Sequence, residues 1–140
     1  MKDTIVIVED DDGHAELIKV NLRDAGIANP ITRFANGFDA LDALHPEEGD
    51  VKPPLLLLLD LNMPGMHGIE VLKQLRADSR TKAVPVVVLT TSSESPEIAK
   101  CYELGCNLYL VKPIEYVEFI KIIKTLGMVF QIVKLPGEAA

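Results

Sequence analysis

Apolar runs alternate with longer segments of mixed polarity, and most of the runs stop on a polar group. Leu55 to Leu59 is five leucines closed by Asp60, with Pro53-Pro54 ahead and the breaker-rich turn Asn62-Met63-Pro64-Gly65-Met66-His67-Gly68 behind. Periodicity alone does not separate such a run from a short buried helix, but the flanking breakers favour a strand buried on both faces. Thr4 to Val8 is a second such run and ends in Glu9-Asp10-Asp11-Asp12. Ile31 to Phe34 is a short strand, Val84 to Leu89 leads into Thr90-Thr91-Ser92-Ser93, and Leu108 to Val111 ends in Lys112-Pro113.

Helical spacing fills the intervals. Asp11 or Asp12 caps a helix from Gly13 to Ala25, stopped by Gly26. Leu17, Ile18 and Leu22 are expected against the sheet, with Glu16, Lys19, Arg23 and Asp24 in water. After Asn36-Gly37 a helix over 38–44 carries Leu41. The polar stretch from His45 to Pro54 predicts a loop, the least ordered interior segment. Ile69 to Arg76 places Ile69, Leu72 and Leu75 on one inward face. Pro96 opens a helix that Gly105 closes, and a last helix starts near Glu115. Five strand–helix units predict an α/β fold with a parallel sheet and right-handed crossovers.

Composition narrows the classes. A chain of 140 residues fits one domain, and a net charge of −7 argues against general nucleic-acid binding. No apolar stretch reaches membrane-spanning length, and the N-terminus lacks a signal-peptide pattern. Cys101 and Cys106 match no metal knuckle; two reduced, packed thiols in a cytoplasmic protein are expected. The tail Lys134 to Ala140 has no basic cluster, and no second domain is expected after it.

A parallel sheet brings its strand ends to one edge. Glu9-Asp10, Asp60, Thr90 and Lys112 then share a cleft containing three carboxylates, a hydroxyl and an ammonium. Taken singly, each has an ordinary alternative: a solvated acid or helix cap for Glu9 to Asp12, a strand terminus for Thr90, a surface lysine for Lys112. Asp60 is hardest to explain that way, between an all-leucine strand and a tight loop. Crowded carboxylates repel unless a cation sits among them, and an oxygen-only set fits Mg²⁺ or Mn²⁺ rather than zinc. A carboxylate can also act as a nucleophile toward phosphorus. The chain has no Gly-x-x-x-x-Gly-Lys-Ser/Thr loop for a nucleoside triphosphate.

These residues resemble those of the response-regulator receiver domain. The marks are Val8-Glu9-Asp10-Asp11, Leu59 to Gly68, Val88-Leu89-Thr90-Thr91 and Tyr109-Leu110-Val111-Lys112-Pro113, and the likeness runs from Thr4 to about Leu126. It implies a flavodoxin-like, doubly wound (βα)5 fold with strand order 2-1-3-4-5. It also implies that Asp60 is the phosphoacceptor. Asp10, Asp60 and the Asn62 carbonyl would hold Mg²⁺ (or Mn²⁺), with Glu9 reaching it through water. Thr90 and Lys112 would bind the phosphoryl group, and Tyr109 would be an aromatic switch responding to Thr90. Asn62, Thr91 and Ser92 occupy positions that tune phosphotransfer and dephosphorylation. His67 stands where an aspartate is common and reads as a solvated loop residue. Asp11 and Asp12 leave the register of the acid pair slightly open, though strand length favours Glu9-Asp10.

Within that family the chain is similar to the single-domain regulators paired with bacterial phytochromes. The similarity rests on Glu9-Asp10, Leu89-Thr90-Thr91-Ser92, Cys101 to Asn107 and Val133-Lys134-Leu135-Pro136. It implies a sensor histidine kinase of the phytochrome type as partner; the acidic charge and the short apolar runs predict neither nucleic acid nor membrane as a further partner. Residues 1–126 form the expected receiver domain, and 127–140 extend the last helix and tail. Phe119, Ile123, Leu126 and Phe130 make one apolar stripe, and Ile122, Val129 and Val133 a second. One sheet face buries only the first, so a homodimer through this helix is expected, with a tail folded on its own subunit as the alternative. Two other functions compete: an aspartyl-nucleophile phosphatase and a phosphorylation-independent scaffold. The former needs a second aspartate two residues after the nucleophile, where Asn62 stands; an amide cannot transfer the proton.

Overall fold

The computed structural model describes residues 3–130, with side chains through 125. Its elements are β1 (Ile5–Val8), α1 (Asp12–Asp24), β2 (Ile31–Phe34), α2 (Gly37–Leu44), β3 (Leu56–Leu59), α3 (Gly68–Ala77), β4 (Val86–Thr90), α4 (Ser95–Glu103), β5 (Leu108–Val111) and α5 (Tyr116–Phe130). The five strands form one parallel sheet in the order β2-β1-β3-β4-β5. This is the (βα)5 flavodoxin-like topology that the strand–helix alternation and the resemblance predict.

The leucine run divides between the two faces of the sheet. Leu57 and Leu59 join Val6, Val8, Val86 and Val88 in a core with residues of α2, α3 and α4. Leu56 and Leu58 join Ile5, Ile7, Val87 and Leu89 in a second core with α1 and α5. Strand periodicity of two does this, and helices on both faces make an uninterrupted apolar strand the stable choice. Each fully buried leucine contributes about 1.5–3 kcal/mol of transfer free energy.

Helix termini follow local chemistry. The Asp11 carboxylate caps α1, accepting from the His14 N–H at 2.8 Å, and Asn36 caps α2 through the Asp39 N–H at 2.8 Å. Of the acids offered as caps, Asp11 is therefore the one used. One inward-facing residue is corrected. Leu17 is 57% exposed, while Ala15, Ile18 and Leu22 form the buried stripe of α1. Spacing of three and four residues selects positions 15, 18 and 22; Leu17 lies about 100° around the helix from Ile18. Ile69 is half-buried, and Val71 joins Leu72 and Leu75 as the fully buried face of α3. Cys101 and Cys106 are buried free thiols, and burial raises both thiol pKa values.

In α5, Phe119 and Ile123 are buried in their own subunit and Ile122 is half-buried. The side chains of Leu126, Val129 and Phe130, and the whole of Val133 and the tail, lie outside the described residues. No helix among the described residues is long and apolar enough to cross a membrane.

Candidate functional site

The C-terminal edge of the sheet collects the expected residues. Carboxylate oxygens of Glu9, Asp10 and Asp60 all lie within 4.8 Å of one another. Glu9 and Asp60 are buried and Asp10 is half-buried. The backbone makes this possible. The Asp60 N–H donates to the Val8 carbonyl at 2.9 Å, which sets the end of β3 beside the start of the acidic loop. Behind Asp60 the turn closes tightly, with the Gly68 N–H donating to the Leu61 carbonyl at 2.8 Å. A Cβ on Gly68 would come within 2.4 Å of the Asp60 carbonyl and 2.7 Å of Leu61 Cα. Only glycine lets α3 start this close to the strand carrying Asp60.

Three negative groups in a largely dry cleft are unfavourable to one another. Burial, more than any partner, pushes Glu9 up to about 7, and neighbouring Asp60 adds to the rise. Lys112 opposes it, with its ammonium paired to Glu9 Oε1. This oxygen-only, half-enclosed donor set fits a hard divalent cation, which would relieve the crowding. Asp10 and Asp60 offer carboxylate oxygens for such an ion and Glu9 a third.

Thr90, the last residue of β4, is fully buried, and its Oγ1 receives the Asn62 side-chain amide at 3.5 Å. Asn62 and Thr91 are exposed and Ser92 is half-buried. The Tyr109 ring is buried in β5, and its hydroxyl donates to the Ser92 carbonyl at 2.8 Å. The structure thus gathers Glu9, Asp10, Asp60, Asn62, Thr90 and Lys112 at one edge, with Tyr109 one loop away.

Two residues here escape a sequence reading. Arg33 in β2 reaches across to the acidic loop: Nε donates to the Glu9 carbonyl at 2.9 Å, Nη2 to the Asp10 carbonyl at 3.2 Å and Nη1 to Asp12 Oδ1 at 2.8 Å. A cation in the strand next to an acid-tipped strand was the available signal. His14 Nδ1 lies 3.2 Å from Lys112 Nζ. An ammonium only donates, so this nitrogen accepts and the ring proton is on Nε2. A cavity of about 240 Å³, lined by His14, Leu17, Leu89, Thr91, Lys112 and Phe119, opens beside them between α1 and α5. His67 is exposed, as expected of a solvated loop residue, and it also caps α3 through Nδ1, which accepts from the Ile69 N–H at 3.1 Å, while Nε2 lies 3.2 Å from Glu97 Oε1.

Comparison with known proteins agrees with this geometry. The family model "Response regulator receiver domain" matches residues 5–124. A response regulator receiver domain from Rhodospirillum rubrum is 42% identical with TM-score 0.79, covering 98% of this chain and 99% of its own. The bacteriophytochrome response regulator RtBRR is 40% identical with TM-score 0.75, covering 91% and 79% respectively. The Mn²⁺-bound form of response regulator Rcp1 is 30% identical with TM-score 0.78, covering 96% and 99%. A matching model over most of the chain, on a sheet whose edge carries the acids, the hydroxyl and the lysine together, places this chain in the response-regulator receiver family, the phosphoacceptor domains of two-component systems.

Proposed function

We propose that Asp60 is the phosphoacceptor and that the chain is a phosphorylation-operated switch fed by a sensor histidine kinase. The observation that carries the assignment is the position of Asp60. It is the buried carboxylate at the tip of the central strand, beside two further acids and within the reach of one loop from Thr90. In the transfer, an Asp60 carboxylate oxygen forms a bond to phosphorus as the N–P bond of the donor phosphohistidine breaks. The imidazole leaves with the electron pair. Hydrolysis later restores the carboxylate and releases inorganic phosphate.

Asp10, Asp60 and the Asn62 carbonyl would hold Mg²⁺ (or Mn²⁺), with Glu9 in the outer sphere. When bound, the ion neutralises charge on the transferring phosphoryl oxygens. Lys112 and Thr90 supply an ammonium and a hydroxyl to those oxygens, so Lys112 must give up part of its pairing with Glu9. Withdrawal of Thr90 toward the phosphoryl group alters the space beside Tyr109 and carries the signal to α4, β5 and α5. Asn62, Thr91 and Ser92 line the approach and set the rates of transfer and hydrolysis.

Asn62 keeps the site from turning over small phosphoesters, because it cannot serve as the proton donor a phosphatase needs there. Similarity to RtBRR supports a phytochrome-type kinase as donor. The second apolar stripe that the sequence places at Ile122, Val129 and Val133 supports a homodimer through the last helix. Incubation with a small phosphodonor and Mg²⁺ tests the core of this reading. An alkali-labile adduct is expected on the native chain and none on Asp60→Asn; an adduct of equal yield on Asp60→Asn would refute it. Timed phosphotransfer from a panel of histidine kinases tests the pathway, and a solution mass equal to one chain, with and without phosphorylation, would rule out the dimer.

A further inference from the structure

Beyond Thr90, a second set of contacts joins the loop behind Asp60 to Tyr109. It begins at His67, the residue preceding α3. Its Nδ1 accepts from the Ile69 N–H, so in the neutral ring the proton is on Nε2. That nitrogen faces Glu97 Oε1 at 3.2 Å. Glu97 sits in the first turn of α4, where the helix dipole favours a carboxylate. Its other oxygen, Oε2, accepts the Ser92 hydroxyl. The Ser92 carbonyl in turn accepts the Tyr109 hydroxyl at 2.8 Å. At its backbone, the Tyr109 N–H donates to the Tyr102 hydroxyl of α4 at 3.0 Å.

We propose that Glu97 is a positioning residue for Tyr109: held between His67 and Ser92, its carboxylate fixes the β4–α4 loop in the form whose carbonyl receives the buried tyrosine. The consequence rests on the reading of Tyr109 as the switch. Both oxygens of Glu97 are committed, one to the loop behind Asp60 and one to the loop behind Thr90. Moving α4 away from α3 breaks the first contact, and moving the β4–α4 loop breaks the second. The clamp therefore favours inward Tyr109 before any phosphoryl group arrives, and its strength sets how far phosphorylation can shift the balance. A two-state element biased in this way needs only the free energy of one or two charge-assisted hydrogen bonds. An aspartate at position 67 could still cap α3, but it would repel Glu97 instead of holding it.

The test is 19F NMR on the full chain labelled with 3-fluorotyrosine. Tyr102, Tyr109 and Tyr116 are its three tyrosines, assigned by single Tyr→Phe variants. In the unphosphorylated native chain, Tyr109 is expected as a buried resonance with a small shift between H2O and D2O. Glu97→Leu is expected to move the inward-to-outward ratio about tenfold toward the solvent-exposed resonance, the scale set by one lost hydrogen bond. His67→Ser keeps a capping side chain for α3 but removes the contact with Glu97, and it should move Tyr109 in the same direction. In the double variant the shift should match that of Glu97→Leu alone, because both changes break one chain of contacts. An unmoved Tyr109 resonance in Glu97→Leu, or fully additive effects in the double variant, would overturn the proposal. Adding phosphodonor and Mg²⁺ to the native chain separates the two claims. No change at Tyr109 there would sink the switch reading, while the unphosphorylated variants still decide the clamp.

Discussion

Two polar clusters sit at opposite edges of the same sheet and obey opposite rules. At the edge where β4 and β5 enter, Arg76, Asp78 and Arg80 each have hydrogen-bond partners. Arg76 Nη2 donates to the Gly105 carbonyl at 2.8 Å, with further contacts to the Thr81 carbonyl and Asn107 Oδ1. Arg80 grips Asp78 with two parallel bonds of 2.8 and 3.0 Å, which hold the Asp78 carboxyl well below its usual range. Thr81 donates to the Leu75 carbonyl at 2.8 Å, so the His45 Nε2–H is the donor in its 2.7 Å contact with Thr81. At the other edge, acids face acids, and Glu9 is driven above its usual range. Similar residue types thus build a staple in one place and an unsatisfied demand for positive charge in the other. The contrast in direction of the two carboxyl shifts is a physical mark of which end does chemistry.

The largest expected effect comes from removing a charge at the crowded edge. Asp60→Asn should abolish the phosphoryl adduct, read by mass spectrometry. In EDTA its midpoint of thermal unfolding should equal or exceed that of the native chain, because a repelling carboxylate has gone. A large loss of stability would mean that Asp60 belongs to the stapled class after all. The mirror experiment is Arg76→Ala. It takes the donors from the Gly105 carbonyl, leaves Asn107 Oδ1 only the Val86 N–H, and removes the link between α3 and the loop before β5. Denaturant unfolding should show a loss of roughly 1 kcal/mol, with Mg²⁺ affinity, read by titration, unaltered.

The asymmetry between the edges also explains what could be read from the chain alone. Strands β1, β3 and β4 are legible because burial on both faces demands continuous apolar runs, and the residues that interrupt them, Glu9, Asp60 and Thr90, announce themselves by contrast. The stapled edge offers no such contrast. Arg76, Asp78 and Arg80 look like any charged helix end, Asp78 and Arg80 pair with each other, and Arg76 binds backbone carbonyls that carry no sequence signal. Arg33 and His14 are hidden for the same reason, since each acts on groups far along the chain. Leu17 reads as inward because it is large and apolar, whereas the buried stripe of α1 runs through Ala15, whose small side chain carries little hydrophobic signal.

A cation should act on one edge only. At a Mg²⁺ concentration about 100 times its dissociation constant, the native chain should gain about 2.7 kcal/mol against unfolding. Asp10→Asn should lose most of this gain, and Arg76→Ala should keep it. Equal responses in both variants would show that the ion stabilises through some other part of the molecule.

The finest distinction is the sign of the pH dependence in EDTA. Glu9 has a folded pKa of about 7 against a usual 4.5, so between those values the folded chain binds more protons than the unfolded one. Its contribution to stability is full below pH 4.5 and is lost as the pH rises toward 7. His45 runs the other way. Burial lowers its pKa below 6.5 despite the nearby Asp78. The unfolded chain therefore takes up the proton first, and stability falls as the pH drops below that value. Asp78, also depressed, adds a further loss below about 3.8. The two edges oppose each other between pH 7 and 4.5, and the native profile there should be shallow. Single variants separate the contributions. Glu9→Gln removes the component that strengthens on acidification, so its stability should fall relative to the native chain as the pH is lowered. His45→Gln removes the component that weakens, and its relative stability should rise. Urea midpoints measured at half-unit intervals would show the two differences diverging; parallel curves would mean that neither edge is titrating as its contacts require.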